Sequence, residues 1–270
     1  MMLSLPSPYV IRKENNLDTY LAGLAAHAAP IIAIILAAFL QSITGFGLII
    51  VGAPLLLLFY DPKLVVPCML LIAVCGNCVQ GLMYIKQAEL RLIGWLVLGV
   101  VLGQPLGLWT FNFFSSDSLK IFISAAVMIA LALNQMGRWH VRECHRNTVI
   151  TGFFSGFTSI TTGMGGPPFL IYLANIKIPV DRIRATCFCY FFLCNSTSLL
   201  AFHFSGLSLA PAFGEFIYLL PGLVIGIIIG HLCYSYIPKK IISRLIFLLL
   251  YATSLYTIAT TLGAKYGLPQ

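Results

Sequence analysis

Two short stretches set a threonine and glycines inside otherwise apolar sequence. They are Thr44-Gly45-Phe46-Gly47 and Thr162-Gly163-Met164-Gly165, and they stand 118 residues apart. Glycine tolerates the backbone conformations that end a helix abruptly, and a helix that restarts beyond the break presents N–H groups with no partner of their own. Aligned peptide dipoles place roughly half a positive charge at such a start. Polar side chains flank both breaks: Gln41, Ser42 and Thr44 at the first, Ser159, Thr161 and Thr162 at the second. Gly45, Gly47, Gly163, Gly165 and Gly166 let a ligand approach the backbone closely. Such a set can hold an anion without Lys or Arg. An anion not gripped by a fixed cation can also leave, which suits transport.

The offset of 118 also carries Asn77 onto Asn195, a lone amide near the middle of the next apolar run in each half. An amide inside a membrane helix needs a partner, so each is expected to bind the ligand or to brace the groups that do. On helical spacing Asn77 shares a face with Gln80 and Tyr84, and Asn195 with Ser198 and Phe202. Gly99, Gly103 and Gly107 recur as Gly222, Gly226 and Gly230 at an offset of 123, and these read as ridges for close helix packing. Two copies of broken segment, amide-bearing helix and glycine-ridged helix indicate a duplicated membrane protein with its site where the copies meet.

Composition sets the elements that must position these residues. The chain has 270 residues, of which 59% are hydrophobic and 9% charged. Six runs, at 64–85, 93–113, 119–137, 183–204, 212–234 and 241–262, are long enough to cross a hydrocarbon layer of about 30 Å. The net charge of +8 gathers in short loops, too short to form a basic surface for a nucleic acid. Residues 1–26 contain no apolar core of a cleavable signal, so the first apolar helix is expected to do the targeting.

Two apolar segments are not simple spans. Residues 28–59 would make one helix about 48 Å long, and they are cut by the first glycine motif. Residues 148–174 are cut by the second, followed by Pro167 and Pro168. With both as re-entrant hairpins, 11 of the 16 Lys and Arg fall on one side of the membrane; with both as full crossings the split is 8 to 8. A hairpin in the second half alone gives 13 to 3. The positive-inside bias and the internal repeat together favour two hairpins. The fold expected is an all-α polytopic membrane protein of two inverted repeats, each a broken or re-entrant helix plus three transmembrane helices. The divisions are an N-terminal segment at 1–27, repeat 1 at 28–137, a basic connecting loop at 138–147, repeat 2 at 148–262 and a C-terminal tail at 263–270.

The motifs QSITGFGLIIVGAP at 41–54 and TTGMGGPPFLIYL at 161–173 resemble those of the TauE/SafE family of sulfite exporters, also called TSUP. The likeness runs from about residue 28 to 262. It implies paired repeats, location in the bacterial cytoplasmic membrane, and movement of small sulfur-containing anions or organic acids. It carries Gly45, Gly47, Gly163, Gly165, Gly166 and Pro167 over as motif positions. The first copy has Leu48 where the second has Gly166, so equal contributions from the two halves are not expected. The partners expected are a small anionic substrate and the lipid bilayer, no nucleic acid, and possible assembly as a homodimer.

Other chemistry is weaker. Cys75 and Cys78 form a C-x-x-C and admit a transmembrane thiol–disulfide electron carrier, but the second copy has Leu193 and Ser196 there. An uncoupled anion channel needs the same polar path as a carrier. His203, His231 and Glu215, at or near the spans, are candidates for proton coupling. The five histidines show no ligand spacing with the cysteines, so no metal or other cofactor is expected. The chain shows no nucleophile with an evident base and no carboxylate pair at depth, so it does not read as an enzyme.

Overall fold

The computed structural model describes residues 24–25, 27–45, 47–136, 144–173, 176, 179–233, 251, 255–257 and 259–261. The first 23 residues, most of the basic connecting loop and most of the sixth expected run lie outside them. In chain order the helices are α1 (Ala28–Thr44), α2 (Leu48–Leu56), α3 (Pro62–Tyr84), α4 (Leu90–Phe113), α5 (Ser116–Met136), α6 (His145–Thr162), α7 (Gly166–Leu173), α8 (Val180–Phe204) and α9 (Ala210–Cys233). Among the described residues there is no strand. The protein is an all-α polytopic membrane protein: four helical stretches, Pro62–Gln87, Leu90–Phe113, Arg182–Phe204 and Ala210–Cys233, are long and apolar enough to cross a bilayer. The run expected at 119–137 coincides with α5 through Met136.

The helices start two or three residues before the apolar runs, and at α3 a polar residue caps the start. Asp61 accepts the Lys63 N–H at 2.9 Å, and Pro62 occupies the first turn of α3, where its missing N–H costs nothing. The same carboxylate accepts the Ser116 hydroxyl at 3.0 Å, tying the start of α3 to that of α5.

Both broken segments end their first helix on a left-handed glycine. Gly45 (φ +84°) donates its N–H to the Gln41 carbonyl at 2.7 Å, and Gly163 (φ +75°) closes α6. Any residue with a Cβ is strained there. The chain then turns back on itself. A Cβ placed on Gly52 in α2 would lie 3.4 Å from the Ala37 Cβ in α1. In the second segment the Tyr172 hydroxyl of α7 lies 2.6 Å from that of Thr148, near the start of α6. Each segment is therefore a helical hairpin.

The hairpins pack crosswise between the two halves of the sequence. Gly99, Gly103 and Gly107 of α4 press on the backbone of α6, where Gly152 and Gly156 make room in return. Gly222, Gly226 and Gly230 of α9 press on α1: a Cβ at Gly226 would stand 2.5 Å from the Ile35 carbonyl oxygen. These ridges pack helices, as their spacing implies. Alongside, α3 and α8 run antiparallel, with Gly81 facing Cys189, Tyr84 stacked 6.2 Å from Phe188 and Glu89 meeting Arg182 at 2.8 Å. Ile34, Val51, Leu56, Val66, Met69 and Ile72 fill the core between the first hairpin and α3. The outer faces of α4 and α9 expose Val101, Leu102, Trp109, Val224, Ile228 and Leu232, the apolar surface a lipid environment requires.

Candidate functional site

The tips of both hairpins and the middles of α3 and α8 enclose one cavity with about 340 Å³ of empty space, its mouth included. Its walls hold Gln41, Gly47, Asn77, Gly163, Gly165, Gly166 and Asn195 from among the residues singled out in the sequence. The remaining wall is apolar: Leu48, Ile49, Ile50, Ala73, Met164 and Phe191. The antiparallel pairing of α3 and α8 brings Asn77 and Asn195, one from each half, to the same space.

The start of α2 turns to this cavity. Its first hydrogen bond into the preceding loop runs from Val51 N–H to Gly47 O at 2.9 Å, so the N–H groups of Leu48, Ile49 and Ile50 stand at the open first turn. The start of α7 also faces it, but Pro167 and Pro168 carry no N–H, which leaves Gly166 as that first turn's donor at the wall.

The two amides differ in their surroundings. Asn77 accepts from the Gln41 amide at 2.7 Å, a buried pair that joins α3 to the tip of α1. At the corresponding place in the second half stands Ser159, whose shorter side chain bonds the Ser198 hydroxyl at 2.9 Å instead. Asn195 is 1% exposed, and its Oδ1 has no hydrogen-bond partner among the described residues. A half-turn about χ2 exchanges oxygen and nitrogen, so this amide can offer either an acceptor or two donors to a ligand.

The other polar residues of the motifs do not line the cavity. Thr44, Thr161 and Thr162 donate to the carbonyls of Leu40, Phe157 and Thr158, four residues back in their own helices. A helical threonine finds that acceptor at no cost in reach, so its hydroxyl proton is already committed. Thr162 also accepts the Met164 N–H at 3.1 Å and so shapes the turn. Ser42 is buried against Gln80, whose amide donates to it at 3.0 Å, and Gly45 closes α1 outside the cavity wall.

The proton-coupling candidates lie elsewhere. His203 and His231 are exposed near the ends of α8 and α9. Glu215 pairs with His27 Nε2 at 3.0 Å, and the His27 ring stacks on Tyr218 at 4.6 Å. Burial and a hydrogen bond to Glu215 push the Tyr60 phenol, in the turn before α3, above its ordinary value. Cys75 and Cys78 sit in mid-helix in α3 and do not line the cavity. No cluster of metal-binding side chains occurs among the described residues.

A family model described as sulfite exporter TauE/SafE matches residues 30–257. The chain belongs to the TauE/SafE family. Its two motifs are the hairpin tips of this fold, and a membrane transport protein is what the family describes. No curated protein and no solved structure matches the chain.

Several contributors were not among the expected site residues; Leu48, Ile49, Ile50 and Met164 belong to the two motifs themselves. Ala73 and Phe191 line the cavity one helical turn before Asn77 and Asn195, and the offset of 118 relates them too. Extending the repeat by one turn along each amide-bearing face would have found them. Arg184, near the start of the run at 183–204, lies inside α8, half-buried against the first hairpin. The helix begins earlier than the apolar run because Pro179 supplies its N-cap position, outside the helix where a missing N–H is harmless.

Proposed function

We propose that this protein is a secondary transporter that exports a small anion, sulfite or another sulfur-containing or organic anion, across the bacterial cytoplasmic membrane. The observation that carries the reading is the single cavity in which the start of α2, the start of α7 and the amides of Asn77 and Asn195 meet. Backbone N–H groups and amides of this kind replace the water an anion loses, and the apolar wall excludes competing solvent. Among the described residues no Lys or Arg lines the cavity, so the ligand is held by dipoles and can be released. Transport then consists of binding between the hairpins from one face, rocking of the halves about that point, and release to the other. The crosswise glycine ridges are the surfaces along which such a movement would run. The expected architecture is the inverted pair of repeats, with each hairpin entering from its own side of the membrane.

Substrate-induced current from purified protein in liposomes on a solid-supported membrane tests this. Sulfite, thiosulfate, sulfate, a sulfonate and a carboxylate are presented in turn. A saturable current selective for one anion is expected. Downhill flux without saturation or countertransport would replace the carrier with a channel, and no current from any of the anions with intact protein would refute the reading.

A further inference from the structure

A hairpin tip is electrostatically ambiguous. The start of its second helix is positive, but the end of its first helix, a few ångströms away, carries an opposite half-charge on its unpaired carbonyls. Left alone, the two largely cancel, and the tip attracts an anion weakly. The first hairpin does not leave them alone. Arg184, contributed by α8 of the other half, donates from Nη2 to the Ser42 carbonyl at 2.5 Å, in the last turn of α1. Its guanidinium lies 5.4 Å from the Tyr84 ring centre and 5.6 Å from that of Phe188, and its Cγ packs where a Cβ on Gly45 would come within 2.9 Å. The cation is thus fixed at the negative end of α1, outside the cavity wall, one residue from Gln41.

Among the described residues, no Lys or Arg is seen to bond the end of α6 in the same way. The offset of 118 that carries Gly45 to Gly163 carries Val66 to Arg184, and the neighbours of a Cβ placed on Gly163 are apolar: Ile49 Cγ2 at 3.1 Å and Val66 Cγ1 at 4.0 Å. This hairpin also lacks N–H groups at Pro167 and Pro168, whereas α2 offers three in its first turn. We infer that the first hairpin supplies most of the anion affinity, and that Arg184 sets it by cancelling the negative end of α1 so that the start of α2 acts on the ligand uncompensated. Arg184 is a positioning residue that works through the α1 terminus. The cavity stays free of a contacting cation, which keeps release fast. The inference rests on the anion-transport reading and adds which half binds.

The test uses the full chain in liposomes with sulfite as the probe. Arg184→Gln keeps an N–H donor for the Ser42 carbonyl but removes the charge; Arg184→Lys keeps the charge but loses the flat stacking between Tyr84 and Phe188. Arg184→Gln is expected to raise the half-saturating sulfite concentration roughly ten-fold with the maximal current retained. Arg184→Lys is expected to stay within about three-fold of wild type. Equal losses in both variants would make Arg184 a packing residue and overturn the inference, as would wild-type half-saturation in Arg184→Gln. If Arg184→Gln fails to insert, Arg184→Lys still decides, because a ten-fold loss there contradicts a role for charge. A wild-type protein without sulfite current would overturn the transport reading itself; a normal wild type with an indifferent Arg184→Gln overturns only this inference.

Discussion

Replacing Asn195 by Leu should make the protein more stable and worse at its task. Among the described residues the Asn195 Oδ1 is buried with no hydrogen-bond partner, and a buried polar group in that state costs about 1–3 kcal/mol. Leucine removes that cost and has room on the cavity side, so unfolding should shift upward or stay level. A hydrogen bond to a charged ligand contributes about 1.5–3 kcal/mol, so losing it should weaken anion affinity about 10- to 150-fold. Asn77→Leu should behave oppositely in stability, because it strips the Gln41 amide of its acceptor at 2.7 Å and leaves that group buried, a loss of about 1–3 kcal/mol. The assays are thermal unfolding in detergent followed by intrinsic fluorescence, and concentration-dependent sulfite current in liposomes. Destabilisation by Asn195→Leu at least as large as by Asn77→Leu would refute the difference drawn between the two amides. So would an unchanged half-saturating concentration in Asn195→Leu. Gln80→Leu, which alters a bond to Ser42 outside the cavity, should impair transport less than Asn195→Leu.

Gly165→Leu should abolish transport while the protein still inserts: Gly165 lines the cavity wall, and a Cβ there would crowd Ser155 Oγ at 3.0 Å and Cys194 Sγ at 3.2 Å, displacing the tip of the second hairpin. Normal current from that variant would remove the site from the hairpin tips. Gly226→Leu should instead damage the fold, by about 3 kcal/mol through overpacking against Ile35 and Ala38, seen as a lowered unfolding midpoint. An unshifted midpoint would mean that α9 does not ride on α1. Cys75→Ser with Cys78→Ser should leave anion current unchanged, since neither thiol lines the cavity; loss of function together with a mass shift on oxidation would bring the electron-carrier alternative forward.

How much of this was legible beforehand follows from particular residues. Gly45 and Gly163 announce their helix breaks because only glycine occupies φ near +80° without strain, and that is a local property of the chain. The first five apolar runs mark helices to within three residues because the bilayer fixes their length. The repeat offset placed Asn77 beside Asn195 and would have placed Ala73 beside Phe191. The threonines were harder: Thr44 and Thr162 have the right chemistry and stand in the right motif, but which way a helical hydroxyl turns depends on the carbonyl one turn back.

What the sequence determined by itself is therefore the membrane class, the helices and the two breaks, all of which arise from local backbone preference and apolar length. The tertiary structure alone decided that each hairpin rests on the opposite half's glycine ridge. It also decided that Arg184, 142 residues from Ser42, reaches the end of α1. Those contacts join distant parts of the chain, and no spacing rule within one segment encodes which distant carbonyl a side chain will meet.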